Sequence, residues 1–255
     1  MATLQPRMSR DPHTFSWPSI IVRSAAAGLW ALLCTVPAVL AFLVLIPWRG
    51  ARIRGGNLYA KTACWVGMWL FSMPVTVVNA ERLGAEPAIY VANHTSTLDL
   101  FLGSALCPVG ACGVAKKEIA RVPVFGQLYW LAGHLLIDRG DSDKARASLA
   151  VLSELVKRLG LSIWIWPEGT RSRDGQLKTF KKGFVHIACS TGLPVVPVLL
   201  RGVDDRWPAK GPVTAGPVIV TVLEAVDTSA WTPNTAGVHA EFVEAIFRRE
   251  LSTAL

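Results

Sequence analysis

The segment Asn93-His94-Thr95-Ser96-Thr97-Leu98-Asp99 puts an imidazole and a carboxylate within one tight stretch, with four residues between them. It follows a short apolar run. Imidazole accepts a proton near neutrality. A carboxylate on one ring nitrogen fixes the tautomer and stabilises the imidazolium that forms. Such a pair can deprotonate an alcohol as that alcohol attacks a carbonyl, and no enzyme nucleophile is then required. The same residues have a plainer use. Ser96-Thr97-Leu98-Asp99 matches a capping box, with Ser96 as N-cap and Asp99 reaching back. In that case the segment only starts a helix. Asn93 and Ser96 are structural on either view, so a catalytic assignment rests on His94 and Asp99.

Cations and a flexible turn lie further along. In Trp166-Pro167-Glu168-Gly169-Thr170-Arg171-Ser172, Gly169 permits a tight turn and close backbone approach to a ligand. Arg171 offers a planar fork that suits a phosphate. Standing alone, this stretch is a solvated turn. Lys116-Lys117-Glu118 follows one apolar run, and Ile137-Asp138-Arg139 ends another. In Leu193-Pro194-Val195-Val196-Pro197-Val198 the prolines predict an edge strand or a groove wall. A general base beside several cations points to an anionic substrate.

These residues need a scaffold, and the pattern beyond about Asn79 supplies one. Short apolar runs at 88–92, 111–115, 134–137, 162–166, 195–200 and 218–223 read as strands. Helical patterns cover 143–159, 182–190 and 237–251. The alternation predicts an α/β domain with a mixed, partly parallel sheet flanked by helices. Neither G-x-G-x-x-G nor a P-loop occurs, so nucleotide binding has little support. No G-x-S-x-G elbow occurs, which counts against a serine hydrolase.

The first 80 residues differ in texture. Residues 1–17 read as a loose tail. From Ser24 to Pro47 there is no charged residue. A helix of that length spans about 36 Å, against a hydrocarbon core of about 30 Å. A second apolar stretch, Ala63 to Val78, carries Trp65, Trp69 and Pro74. The expectation is a membrane anchor of two helices over 18–80, followed by a catalytic domain over 81–255. Arginines flank the first block on both sides, consistent with both ends on the cytoplasmic face. The net charge of +8 favours anionic partners. Ten tryptophans and a positive mean hydropathy tilt that choice toward lipid, and no motif supports nucleic acid. The five cysteines form no C-x-x-C pair, so neither a disulfide framework nor a metal site is expected.

The motifs together resemble the 1-acylglycerol-3-phosphate acyltransferases and the wider glycerolipid acyltransferases. Asn93 to Asp99 fits the family's N-H-x-S-x-x-D throughout. Pro167 to Ser172 fits F-P-E-G-T-R-S, with Trp166 in place of the usual Phe. Lys116 to Arg139 is similar to the lysine region that ends in I-D-R. Leu193 to Val198 is similar to the fourth, proline-containing strand. Phe180-Lys181-Lys182-Gly183 is similar to F-K-x-G. The resemblance covers residues 85–200 in order.

It implies transfer of a fatty acyl group from acyl-CoA or acyl carrier protein to a free glycerol hydroxyl, with phosphatidic acid as product. His94 would be the base and Asp99 its orienting partner. Glu168, Gly169, Thr170, Arg171 and Arg139 would bind the glycerol phosphate, Lys116 would assist, and Pro194 and Pro197 would shape an acyl groove. No bound cofactor or metal is implied. The membrane would be the inner one, with the catalytic domain facing the cytoplasm. Lyso-ornithine lipid, another lysophospholipid or glycerol 3-phosphate are rival acceptors, and a non-catalytic lipid-binding membrane protein is a rival class.

Overall fold

The computed structural model describes residues 14–138, 142–172 and 174–253, without the side chains of residues 142–146. The chain begins with α1 (Trp17–Val44) and α2 (Arg49–Leu70), which pack on each other. Then come β1 (Val75–Val78), β2 (Ile89–Ala92), α3 (Leu98–Leu106), β3 (Ala111–Lys116), α4 (Phe125–Leu131) and β4 (Leu135–Ile137). The rest is α5 (Ser142–Leu159), β5 (Ser162–Ile165), α6 (Gly183–Thr191), β6 (Val195–Arg201), α7 (Val203–Arg206), β7 (Val218–Val222) and α8 (Ala236–Ser252).

The strands form one seven-stranded sheet in the order β1-β7-β6-β2-β5-β3-β4. β6, β2, β5, β3 and β4 run parallel, whereas β7 is antiparallel to β6 and carries β1 with it. The central strands explain themselves. Ile-Tyr-Val-Ala of β2 and Ser-Ile-Trp-Ile of β5 are buried along their whole length. Continuous apolar character is what a parallel strand covered on both faces needs. Successive side chains then divide between two cores. Ile89, Val91, Ile163 and Ile165 meet Leu152, Phe184, Val243 and Phe247 from α5, α6 and α8. Tyr90, Ala92 and Trp164 meet Leu98, Leu102 and Leu106 of α3 on the other face. Each buried Val, Leu, Ile or Phe among them contributes about 1.5–3 kcal/mol of transfer free energy before chain entropy is charged.

The six predicted strands and three predicted helices are all present, with their ends shifted by no more than one residue. Two expectations need correction. Ala63 to Val78 is not one helix. α2 starts at Arg49 and ends at Leu70; the chain turns at Ser72 (φ 52°), and Val75–Val78 pairs with β7 as an outer strand. One apolar run thus serves a helix end and a strand, which hydropathy alone does not separate. Nor is the Pro194–Val198 strand an edge. β6 is paired on both sides, and Pro197 is tolerated because its ladder to β7 begins only at Val198.

The two N-terminal helices have different jobs. Among the described residues α1 is the one helix long and apolar enough to cross a membrane, and little of it is buried. α2 is polar and turned toward the sheet domain. Arg49 Nε donates to the Gly133 carbonyl (2.9 Å), Asn57 Nδ2 to Ala111 (3.0 Å), and Lys61 Nζ to Ala105 (3.0 Å) at the end of α3. α2 is therefore a clamp between α1 and the sheet rather than a second apolar span. The predicted tail 1–17 lies mostly outside the described residues; Phe15 packs its ring edge-on against Phe71.

Candidate active site

β2 delivers the chain to Asn93 at the carboxyl end of the parallel strands, where ligands collect in such sheets. The Asn93 amide extends the pairing beyond the strand: Nδ2 donates to the Leu200 carbonyl (3.0 Å) and Oδ1 accepts from the Leu200 N–H (2.8 Å). The backbone is then free to turn at His94. Asp99, in the first turn of α3, is fully buried. Its Oδ2 accepts from the Thr95 and Ser96 N–H groups (2.7 Å each) and sits 2.9 Å from His94 Nδ1. Ser96 Oγ accepts from Leu98 N–H (3.1 Å) and donates to the Trp207 carbonyl (2.6 Å). The helix starts with Thr97 rather than the expected Ser96 as N-cap, without a side-chain cap bond, but Asp99 still reaches back to the Ser96 N–H, so the turn and the imidazole–carboxylate pair are a single construction. Negative charge at a helix N-terminus is favoured by the helix dipole. Asp99 Oδ1 is buried without a partner among the described residues, so the carboxylate is held through Oδ2 alone. With Nδ1 held by Asp99, Nε2 is the nitrogen left to accept a proton.

The adjacent strand, β5, brings the second motif to the same edge. Glu168 is buried. Its Oε1 accepts from the His94 N–H (2.7 Å), and its Oε2 from the Lys178 N–H (3.1 Å). The Ser172 N–H donates to the His94 carbonyl (2.9 Å). Both backbone polar groups of His94 are therefore pinned by this loop. Burial pushes the Glu168 carboxyl up, while the donors at His94 and Lys178 pull the other way. Arg171 donates through Nη1 to Thr97 Oγ1, and Lys178 Nζ donates to the Arg171 carbonyl (3.1 Å). Gly169 takes φ 72°, which a side chain rarely adopts, and its N–H closes the turn onto Trp166 (3.2 Å). The Trp166 ring lies against His94, centroids 5.2 Å apart. A Cβ at Gly103 would come within 2.8 Å of Trp166, so this glycine makes room for the larger ring.

His94, Asp99, Glu168 and Arg171 therefore converge, and Thr170 and Gly169 lie on the same loop. Both oxygens of Glu168 are engaged by backbone N–H groups, so it holds the turn beside the position expected for the acceptor. Lys116 is exposed at the end of β3, on the same side of the sheet. Arg139 lies outside the described residues; next to it Asp138 pairs with Lys117 (2.6 Å). Pro194 enters β6 at the opposite end of the sheet, opposite the start of β2, and Pro197 is buried facing Val91. Neither lines the roughly 440 Å³ cleft that borders Asn93 and Thr95 together with Leu177, Arg201 and Arg248. Trp166 and Lys178 were not singled out as site residues from the sequence. Trp166 was visible as the Phe replacement at the head of its motif, whereas Lys178 had no signal beyond lying near that motif.

The acyltransferase family model matches residues 74–201, the span that holds both motifs. The chain belongs to this acyltransferase family. It is 39% identical over 228 residues to the 1-acyl-sn-glycerol-3-phosphate acyltransferase of Cocos nucifera, covering 89% of this chain and 74% of that one. The 1-acyl-sn-glycerol-3-phosphate acyltransferase of Escherichia coli (strain K12) is 36% identical over 69% of this chain and 70% of its own. In fold, the crystal structure of the 1-acyl-sn-glycerophosphate (LPA) acyltransferase from Thermotoga maritima superposes with a TM-score of 0.61 at 23% identity, covering 88% of this chain and 99% of that one. The protein is an acyltransferase enzyme, and the His94–Asp99 turn is where its family pattern and its geometry coincide.

Proposed function

We propose that this acyltransferase esterifies the free hydroxyl of 1-acylglycerol 3-phosphate, giving phosphatidic acid, with acyl-CoA or acyl carrier protein as the thioester donor. The observation that carries the chemistry is the 2.9 Å contact between His94 Nδ1 and the buried Asp99 carboxylate. His94 Nε2 takes the proton from the acceptor hydroxyl as its oxygen attacks the thioester carbonyl. Collapse of the tetrahedral adduct forms the ester and expels the thiolate, which takes the proton back from the imidazolium. Asp99 stabilises that imidazolium without taking its proton.

Arg171 is half-buried on the loop that meets His94. One of its donors goes to Thr97, and the rest of the guanidinium suits the acceptor phosphate. Lys116, Thr170 and Arg139 are assigned supporting contacts to the same anion. The activity for which the relatives are named supports this acceptor. The net charge of +8 supports an acidic donor, either the phosphates of CoA or a carrier protein. The apolar α1 supports residence in a membrane, and the arginines on both sides of it support an inner membrane with the catalytic domain on the cytoplasmic face.

An acceptor panel tests this. Full-length protein in lipid vesicles is given 1-acylglycerol 3-phosphate, glycerol 3-phosphate, lyso-ornithine lipid and lysophosphatidylcholine, each with acyl-CoA or acyl carrier protein. Thiol release and product mass are followed. Phosphatidic acid should form fastest. Faster acylation of any phosphate-free acceptor would overturn the assignment.

A further inference from the structure

Between the 3-10 turn at Lys117–Arg121 and the body of α4, the chain exposes a run of apolar residues. Val122 is 43% exposed, Val124 59% and Phe125 43%, and Trp130 on α4 is 64% exposed. Four large apolar side chains on one short segment are costly in water, and they are held there deliberately. Val124 is β-branched yet adopts φ 65°, a conformation that needs surrounding structure to enforce it. Gly126 closes the turn so tightly that a Cβ would lie 2.0 Å from the Ile119 carbonyl oxygen. The buried side of α4, at Gly126 and Leu128, packs inward, so the apolar tip cannot fold back over itself.

The position of this tip indicates what covers it. α1 touches α4. Arg49, at the start of α2, donates to the Gly133 carbonyl just past α4. The link between α1 and α2 immediately before Arg49 exposes Ile46 and Trp48, and the end of α1 exposes Leu40, Leu43 and Val44. α4 thus lies beside the helix that is long enough to enter a bilayer, and its tip exposes apolar side chains of the same kind. Exposed Arg121 borders it, and tryptophan beside basic residues is the composition of a membrane interface.

We propose that Val122, Val124, Phe125 and Trp130 form a separate lipid-contacting surface on the catalytic domain, which seats the active-site edge of the sheet at the headgroup level. The proposal rests on α1 residing in the membrane. The β3–α4–β4 connection that carries the tip also carries Lys116 and Lys117 at the active-site edge, so seating the tip brings that edge toward lipid-borne acceptor.

The test uses the full chain with vesicles of phosphatidylcholine and phosphatidylglycerol, some carrying brominated acyl chains. Bromolipid should quench the wild type more than Trp130→Phe, because a lipid-facing tryptophan has been removed. In Val122→Asp/Phe125→Asp, neither position takes a positive φ, and the protein should still float with vesicles through α1. Its KM for vesicle-borne lysophosphatidic acid should rise about tenfold as two apolar anchors leave the lipid. Turnover of a short-chain, water-soluble lysophosphatidic acid should be unchanged. Equal quenching of wild type and Trp130→Phe would overturn the proposal. So would an unchanged vesicle KM, or an equal loss on soluble acceptor, which would mean damage to the site. Failure of the wild type itself to float would instead remove the α1 premise.

Discussion

The two loops that meet at the active site do different work. The turn from His94 to Asp99 is closed by its own residues: one carboxylate oxygen gathers the His94 ring and the Thr95 and Ser96 N–H groups, none more than five positions away. The Trp166–Lys178 loop has internal ties as well, Gly169 to Trp166 and Lys178 to both Glu168 and Arg171, but they do not tie it to the catalytic turn. It is held through Glu168 and Ser172 to His94, and through Arg171 to Thr97, residues more than seventy positions distant. The local turn shapes the chemistry; the distant loop fixes where that turn points and brings a cation to it. Rate should therefore depend steeply on the first loop, and on the second through placement and acceptor affinity.

The largest effect belongs to the first loop. His94→Ala should lower turnover by about 10²–10⁴-fold, with little change in melting temperature, read by thiol release. Full activity in that variant would remove the general base from the mechanism. Next comes Arg171→Ala. Losing one charge-assisted hydrogen bond, worth about 1.5–3 kcal/mol, should raise the acceptor KM by about ten- to a hundredfold while turnover stays near wild type. An unchanged KM would reduce Arg171 to a tether for Thr97.

Glu168→Gln sharpens the contrast most. Its amide can accept from only one of the two N–H groups and sets a donor against the other. The His94 turn should shift, and turnover should fall by about tenfold or more, with acceptor KM nearly unchanged. A raised KM at constant turnover would instead make Glu168 a ligand of the acceptor.

The smallest effect lies away from both loops. Burial, reinforced by Arg49, holds the His134 imidazole down at about 4, where its Nδ1 accepts from the Gly113 N–H (3.1 Å). The unfolded chain binds this proton first, at about 6.5. Stability is therefore intact above that value and is lost progressively as pH falls toward 4. Thermal melts across this range should show Tm falling by a few degrees, and His134→Gln should flatten the slope. A slope that survives the substitution would assign it to other groups.

How much of this was legible in the residues follows the same division. The His94–Asp99 pair was readable because four intervening residues and a capping pattern leave little freedom, and the turn and the catalytic pair proved to be one structure. The strands at 89–92 and 162–165 were readable because each is apolar throughout. The part played by Glu168 was not readable. Glu-Gly-Thr-Arg serves a solvated turn or a ligand site equally well until the order of strands is known. The end of the N-terminal region was likewise hidden, because the hydropathy of Ala63 to Val78 does not say where a helix stops and β1 begins. Nor did the prolines of 194–198 reveal an interior strand, since that depended on where β7 starts to pair.

The amino-acid sequence by itself determined the strands β2 to β7, the helices α5, α6 and α8, the local geometry of the His94 turn, the apolar α1 and the basic charge, because each depends on interactions within a few residues or on composition. Only the tertiary structure decided that β5 lies beside β2, that Glu168 therefore reaches the backbone of His94, that α2 clamps rather than spans, and that an apolar tip stands exposed beside α1. Those outcomes depend on which distant segments share the sheet, and backbone N–H and carbonyl groups present the same partners everywhere until packing brings a particular pair within reach.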